Sequence, residues 1–352
     1  MNASTQHRPV LLLGSVPLSD EEEVFRTASE ILGDRLKRIP DGETGVRSNW
    51  IGWQAEVFAR TPALELLPDS GKNYGVRIRY RIRPDVEPSN VTFYSLGYSD
   101  AAIASYKTFA RLKSAGVIGA GTRFQVSLPT PLATVTAYTA LESRSAVESA
   151  YEARLIEELA QICAAIPQDQ LAIQWDTAIE FGILEGVMPT HLADPWRDIV
   201  ARLVRLGEHV PEGIELGYHL CYGDANHQHF VQPKDAGMLV SVANRVCAGV
   251  HRRVNWIHLP VPRERDDDAY FAPLTDLRCD PETELYLGLV HYTDGIEGTQ
   301  RRILAAARIN ADFGIGTECG MGRRPADTII RLLQVHKAAA DVVVAGEARV
   351  GG

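Results

Sequence analysis

Long hydrophobic runs, positive charge and cysteine are all scarce in this sequence, and each shortage excludes a class of protein. No apolar run approaches the ~20 residues that a helix needs to span a bilayer. The 36 Lys and Arg residues are outnumbered by 45 Asp and Glu residues. The resulting net charge of −9 argues against electrostatic binding of nucleic acid. We therefore predict a protein that has neither a membrane nor a nucleic acid as its partner.

The cysteines are few, odd in number and widely spread. The chain has five of them, which is not the pattern of a disulfide framework and fits a reducing compartment. Cys163 and Cys247 fall on predicted helices, where we expect them to act as small buried hydrophobic residues. The apolar stretch Val10–Leu13 is too short for a signal peptide and is soon followed by acidic residues. We predict a cytoplasmic protein.

Short apolar runs alternate with long amphipathic segments, which is typical of repeated β-strand and α-helix units. The eight predicted strands are Val10–Ser15, Leu36–Pro40, Phe124–Leu128, Leu171–Trp175, Ile214–Cys221, Val254–Leu259, Glu284–His291 and Ala311–Thr317. Eight such units predict an α/β fold, a (β/α)8 TIM barrel that residues 1–352 form as a single domain. Residues 74–98 depart from this pattern, and there we predict an inserted β-hairpin with strands in Val76–Ile82 and Val91–Leu96.

Sulfur and imidazole side chains gather at the ends of several predicted strands. His219 and Cys221 end the fifth strand two residues apart, and alternate residues of a strand point to the same side. Cys319 follows the eighth strand, and the C-terminal ends of all barrel strands meet at one face. One imidazole and two thiols suit a borderline-soft ion such as zinc, with room for a fourth ligand from His258 or from a substrate. The alternative is a structural role, because cysteine is among the most buried residue types.

Several motifs at strand ends occur in the order of a known family. They are Leu13-Gly14-Ser15-Val16-Pro17, Asp41-Gly42-Glu43, Ile173-Gln174-Trp175-Asp176, Tyr218-His219-Leu220-Cys221-Tyr222 and Glu318-Cys319-Gly320-Met321. Together they resemble the catalytic barrel of cobalamin-independent methionine synthase, within the superfamily that also holds uroporphyrinogen decarboxylase and epoxyalkane:coenzyme M transferase. The resemblance covers nearly the whole chain, apart from Tyr74–Tyr98 and Ala225–Lys234.

The resemblance implies a zinc ion and an amino-acid substrate. Zinc would be held by His219, Cys221 and Cys319. Glu43 and Asp176 would hold the ammonium group of a homocysteine-like substrate, and Ser15 its carboxylate. These roles suit the charges involved, since carboxylates pair with cations and hydroxyl groups hydrogen-bond anions. The alternative is that Asp176 caps the following helix and that Glu43 is a loop charge.

The sequence departs from the family at two chemically important positions. His258 stands where the family has a glutamate as its fourth zinc ligand, and we expect this histidine to take that place. The family's acid/base histidine corresponds to a position near Thr293, and His291, two residues earlier, is the candidate substitute. His227 and His229 follow the His219–Cys221 motif, and we predict that they lie in a solvated loop.

These expectations lead to one leading hypothesis and two rivals. The leading hypothesis is zinc-dependent transfer of a methyl or other alkyl group to a homocysteine-like thiol, as in methionine biosynthesis, with a folate or another small molecule as donor. A C–S lyase or an epoxide:thiol transferase could use the same site. A barrel that binds an amino acid or zinc without catalysis is the third reading. The sequence does not decide between a monomer and a homo-oligomer.

Overall fold

The computed structural model describes residues 7–67, 78–223 and 229–343. The α-helices in these ranges are α1 Glu21–Leu32, α2 Gln54–Ala59, α3 Tyr98–Ser114, α4 Pro131–Tyr138, α5 Arg144–Ala165, α6 Ile179–Leu184, α7 Pro195–Glu208, α8 Gly237–Gly249, α9 Asp268–Phe271, α10 Gly295–Ile309 and α11 Ile329–Ala340. The strands are β1 Arg38–Pro40, β2 Leu64–Leu66, β3 Tyr80–Ile82, β4 Arg123–Pro129, β5 Leu171–Asp176, β6 Glu215–His219, β7 Trp256–Pro260, β8 Glu284–Val290 and β9 Gly314–Thr317. No helix in the described ranges has the length and apolar composition to cross a membrane.

Seven parallel strands form one curled sheet in the order β1-β4-β5-β6-β7-β8-β9. The remaining predicted strand, Val10–Ser15, connects its two edges through isolated parallel bridges. Val10 bridges both Leu36, next to β1, and Ile315 in β9, while Ser15 bridges Gly42. The predicted TIM-barrel fold class is therefore confirmed, with its first strand reduced to a few bridged residues.

The elements follow the burial pattern that a barrel requires. Every residue of β5 is buried, because one face of the strand meets the barrel interior and the other meets helices. Asp20 is the N-cap of helix α1, and its side chain accepts a hydrogen bond from the backbone N–H of Glu23. Its buried residues Val24, Phe25, Ala28 and Leu32 repeat at helical spacing and face the sheet.

The N-terminal end of the barrel interior contains a network of paired charges. Arg38 is only 2% exposed, and its guanidinium donates to Glu215 Oε2 at 2.5 Å and to Glu284 Oε2 at 2.8 Å. The same guanidinium lies 4.2 Å from the centroid of the Trp256 ring. Burial raises the pKa of the Glu284 carboxyl, but the charges and hydrogen bonds of Arg38 and Lys37 outweigh it and leave that pKa below its ordinary value.

The inserted hairpin is present, but its strands pair differently from the prediction. β3 pairs antiparallel with β2, which precedes the predicted range, and part of that range (74–77) lies outside the described residues. Val91–Leu96 is not a strand. Instead, the buried carboxylate of Glu158 accepts the backbone N–H groups of residues 96–99. A side chain therefore satisfies donors at the end of this segment, and the apolar residues before them pack into the core.

The prediction for Cys247 is wrong, because this residue forms a disulfide with Cys279. The bond connects α8 to the stretch that precedes β8, across 32 residues of sequence. The two residues approach only because a helix and a loop pack together outside the barrel, so their spacing in the chain carries no signal.

Candidate functional site

Three predicted metal ligands converge at the C-terminal face of the barrel. His219 ends β6, Cys221 follows it by two residues, and Cys319 follows β9 by two residues. Their potential ligand atoms all lie within 4.8 Å of one another, and the two Sγ atoms are 3.7 Å apart. No other group of three or more His, Cys, Asp and Glu side chains in the described ranges meets this criterion for a metal site.

Hydrogen bonds from neighbouring strand ends hold the backbone of these ligands. Thr177, directly after β5, donates its hydroxyl to the carbonyl of His219 at 3.1 Å and accepts the backbone N–H of Cys221 at 3.2 Å. Thr317, the last residue of β9, donates its hydroxyl to the carbonyl of Cys319 at 2.6 Å. These hydrogen bonds help to fix the backbone positions of both cysteines beyond the ends of β6 and β9.

The electrostatics of the cluster favour a thiolate at Cys221. The hydrogen bond with Cys319 lowers the pKa of the Cys221 thiol well below its ordinary value, while burial opposes this shift. The charge and hydrogen bond of His219 lower the pKa further. A thiolate is the form of cysteine that binds a metal ion, so this residue is prepared for coordination.

His258 lies behind His219 instead of joining the three ligands. Its Nδ1 is 2.8 Å from Nδ1 of His219, and its Nε2 is 3.0 Å from the carbonyl oxygen of Thr317. A carbonyl can only accept, so Nε2 of His258 carries a proton. Burial, followed by the charge of His219, lowers the pKa of His258 well below its ordinary value, so its Nδ1 accepts from His219.

This relay bears on the predicted roles of both histidines. In the neutral form of His219 this contact places the proton on Nδ1 and the lone pair on Nε2, which is the tautomer that binds a metal ion through Nε2. Both ring nitrogens of His258 are engaged in these contacts, so its fourth-ligand role, which stays a prediction, would require the contact with His219 to be broken. The donor set of one oriented imidazole and two thiols fits a soft or borderline metal.

A cavity opens beside the three ligands and contains all three predicted substrate-binding residues. Its wall includes His219, Cys221, Cys319, Ser15, Glu43, Asp176, Leu13, Trp50, Thr177 and Arg323. The hydroxyl of Ser15 donates to Glu43 Oε2 at 2.5 Å, and the side-chain amide of Gln174 donates to Asp176 Oδ1 at 2.8 Å. Gly14, with φ 143°, permits this approach, since a Cβ there would lie 2.9 Å from Glu43 Oε1.

The two carboxyl groups of the cavity have raised pKa values. Burial and the nearby charge of Asp176 raise the pKa of Glu43 to about 8, against a smaller opposing effect of the Ser15 hydrogen bond. Burial raises the pKa of Asp176 to about 7, although the charge of His219 and the hydrogen bond from Gln174 lower it. Two buried acids that repel each other in the ligand-free protein are suited to receive a cation.

His291 is buried near the cluster but does not line the cavity. Its Nε2 is 2.9 Å from the carbonyl of Val261, and its Nδ1 is 3.5 Å from Glu318 Oε1. Burial raises the pKa of Glu318, but the charge and hydrogen bond of His291 and the charge of His229 outweigh it, so this pKa is lowered. The structure therefore places the predicted acid/base residue in contact with a carboxylate next to Cys319.

Three further residues around the site were not among the predicted site residues. His229 was expected in a solvated loop, but its side chain is only 3% exposed and lies 3.8 Å from Glu318 Oε2; His227 lies outside the described residues. Trp50 lines the cavity with φ 44°, a left-handed conformation that is costly for a large side chain. Arg323 adds a positive charge to the same wall. In the sequence, the two consecutive arginines after Cys319 (Arg323 and Arg324) were the feature that indicated a positive charge at this site.

The fold and the site together define a parallel β/α barrel with a cluster of one imidazole and two thiols beside a cavity lined by both polar and apolar residues. No protein-family model and no curated protein matches this sequence. Among solved structures, a B12-independent methionine synthase from a Shewanella species in complex with selenomethionine has a TM-score of 0.59 and 16% identity, covering 95% of this chain and 97% of that one. A methyltransferase from Methanosarcina mazei has a TM-score of 0.56 and 11% identity, covering 94% of each chain.

These identities are low, and the likeness concerns the fold. The barrel of this chain is similar to that of the B12-independent methionine synthase over almost the full length of both chains. The resemblance predicted from the strand-end motifs is thereby confirmed in three dimensions.

Proposed function

We propose that this protein is a zinc-dependent transferase that moves a methyl or other alkyl group to the sulfur of a homocysteine-like thiol. The main support for the proposal is that two chemical features lie in the lining of one cavity. The thiol and imidazole donors of His219, Cys221 and Cys319 form one wall, and the acids Glu43 and Asp176 belong to the same lining. A molecule with a sulfur at one end and an ammonium group at the other fits both features.

His219, Cys221 and Cys319 would hold the zinc ion. When bound, the ion would lower the pKa of a substrate thiol and so maintain its nucleophilic thiolate form near neutral pH. The protein's own contribution to this step is orientation, because the Thr317–His258–His219 relay sets the protonation state of the imidazole ligand.

Glu43, Asp176 and Ser15 would bind and orient the amino-acid end of the substrate. An ammonium group between Glu43 and Asp176 would relieve their repulsion and form charge-assisted hydrogen bonds. The Ser15 hydroxyl, which now donates to Glu43, and the guanidinium of Arg323 are the polar groups suited to the α-carboxylate. Fixing both ends of the amino acid positions its sulfur for reaction, which lowers the barrier entropically.

The solved relative with a bound ligand supports this class of substrate. Selenomethionine, present in the Shewanella structure, carries an ammonium group, a carboxylate and a methylated selenium. The cavity described above has a counterpart for each of these groups. His291, as proton donor to a leaving group, would act together with Glu318, which it contacts.

Metal analysis combined with turnover tests the proposal. Purified protein is expected to contain about one zinc per chain and to form methionine from homocysteine with a methylated folate or a sulfonium donor. Cys221→Ala and Cys319→Ala should lose the metal and at least about 10³-fold in rate, because each removes a ligand. Cys163→Ala is the matched control, since this free cysteine lies on α5 away from the site.

Three results would contradict the proposal in different ways. Full activity of a metal-free Cys221→Ala variant would exclude the zinc mechanism. Release of free thiol from thioethers, without methyl transfer, would favour the C–S lyase. Tight binding of zinc or amino acid without turnover of any donor would favour a non-catalytic barrel.

A further inference from the structure

Asp41 and Arg47 form an ion pair close in sequence to Glu43, one of the two acids of the cavity. Oδ2 of Asp41 accepts a hydrogen bond from the Arg47 guanidinium at 2.7 Å and another from the Ser105 hydroxyl at 2.7 Å. Asp41 is only 6% exposed. The pair is therefore a built feature of the interior, and the function proposed above gives it no role.

The second carboxylate oxygen of Asp41 fixes the backbone of Glu43. Oδ1 accepts the backbone N–H of Glu43 at 2.8 Å, as in turns that an aspartate closes onto the chain two residues later. Glu43 has φ 48°, a left-handed conformation that residues other than glycine seldom adopt. Such a conformation persists when neighbouring contacts hold it, and it is common at ligand sites.

Arg47 lies close enough to Glu43 to be its alternative partner. The two residues line a second, small cavity together with Asp41, Tyr98, Gln125 and Ser127. Burial disfavours the charged form of Arg47. Among the charges that favour it, Asp41 acts most strongly, followed by Glu43 and then Glu21. The guanidinium thus has two carboxyl groups within its influence, and its hydrogen bond is with Asp41.

The choice between these two partners determines what Glu43 can bind. A guanidinium paired with Glu43 would form charge-assisted hydrogen bonds and supply the counter-charge from within the protein. Glu43 would then have little to offer an ammonium group. With Arg47 held by Asp41, the carboxyl group of Glu43 is contacted by the Ser15 hydroxyl and remains in the cavity lining.

We propose that Asp41 is a positioning residue that determines specificity, because it holds Arg47 away from Glu43 and so leaves Glu43 to the ammonium group of the substrate. The substrates selected in this way are thiols that carry an α-amino group, in preference to thiols with a carboxylate alone. This inference rests on the proposed function, since it requires an amino-acid substrate at Glu43.

Binding of two matched thiols to the zinc-loaded protein tests the inference. Homocysteine and γ-mercaptobutyrate differ only in the ammonium group, so the ratio of their affinities from calorimetric titration measures its recognition. The parent protein should prefer homocysteine about 10- to 100-fold. Asp41→Asn keeps the size and the acceptor for the Glu43 N–H but places an amide N–H against Arg47. We expect this preference to fall about 10-fold.

Removing the released guanidinium should restore the preference. In the double variant Asp41→Asn/Arg47→Met, the preference should return to within about threefold of the parent value, which a role of Asp41 in folding alone does not predict. Arg47→Met by itself should also stay within about threefold, because its charge is already paired with Asp41. Glu152→Gln, which breaks an ion pair with Arg205 between α5 and α7, is the matched control and should behave as the parent.

The remaining outcomes decide against the inference. A preference that stays low in the double variant would mean that Asp41 only shapes the turn at Glu43. A change of more than about threefold in Arg47→Met would mean that Arg47 already acts on Glu43 in the parent protein, and this result decides alone if Asp41→Asn does not fold. An unchanged preference in Asp41→Asn would overturn the inference, while a parent protein that prefers homocysteine would still support the proposed function. A parent protein that binds neither thiol would overturn both.

Discussion

Both ends of the barrel interior contain buried carboxyl groups, but the pKa shifts at the two ends have opposite signs. At the N-terminal end, Arg38 lies between Glu215 and Glu284, and the pKa of Glu284 is lowered. At the C-terminal end, burial raises the pKa of Glu43 to about 8 and that of Asp176 to about 7, and the opposing charge of Arg47 has a smaller effect on Glu43 than burial has.

The paired charges around Arg38 stabilise the fold, whereas the carboxyl groups of Glu43 and Asp176 are the ones that a bound cation would stabilise. A buried ion pair with its hydrogen bonds complete is already compensated and has little to offer a substrate. Two carboxyl groups whose pKa values are raised mainly by burial gain free energy when a cation arrives. Under the proposed function the same residue types in one barrel would have different roles, according to whether the counter-charge comes from the protein or from the substrate.

Removing the counter-charge at the N-terminal end should produce the largest effect. Arg38→Met leaves Glu215 and Glu284 without their shared partner, and we expect the free energy of unfolding to fall by about 3 kcal/mol. Lys37→Met removes the other, half-exposed partner of Glu284 and should cost no more than about 1 kcal/mol. Urea denaturation monitored by circular dichroism measures both values. Equal losses would show that the network is not the stabilising element.

Neutralising an acid at the C-terminal end should have a smaller effect, and on binding instead of stability. Glu43→Gln keeps the size and the hydrogen-bond acceptor for Ser15 but removes the charge. We expect the affinity for homocysteine or methionine to fall about 10- to 100-fold, since hydrogen bonds to charged groups contribute about 1.5–3 kcal/mol. Calorimetric titration gives the affinity. Stability at pH 8 should be unchanged or higher, so a marked loss of stability would contradict a ligand-binding role.

The stability of the ligand-free protein should depend on pH through the same two acids. The folded pKa of Glu43 (about 8) lies above its ordinary value of 4.5, and that of Asp176 (about 7) lies above 3.8. Because the folded state holds these protons more tightly, stability of the ligand-free protein is greatest below the ordinary values and declines as pH rises through about 7 and 8.

Amine binding should show the opposite trend, because a cation favours the ionised acids. We expect the affinity for methionine to rise by at least about 10-fold between pH 6 and 8, since the ionised fraction of Asp176 alone changes by that factor, and the rise should be smaller in Glu43→Gln. Titrations at several pH values measure it. An affinity that falls over this range would place the ammonium group elsewhere.

Much of the barrel and the metal-type cluster could be predicted from local patterns. Alternation of apolar runs with amphipathic segments predicted the strands, because burial on both faces of a parallel strand demands continuous apolar residues. The two-residue period of a strand put His219 and Cys221 on one side. The hairpin was less predictable, since the carboxylate of Glu158 on α5 takes the place that a strand partner was expected to fill.

The amino-acid sequence by itself determined the α/β alternation, the acidic balance and the presence of soft ligands at strand ends, all of which depend on neighbouring residues. Only the tertiary structure decided that His258 orients His219, that Cys247 meets Cys279, and that His229 is buried beside Glu318. These contacts join residues far apart in the chain. Their chemistry depends on which nitrogen, sulfur or oxygen a neighbour leaves available, and that is settled by packing rather than by spacing.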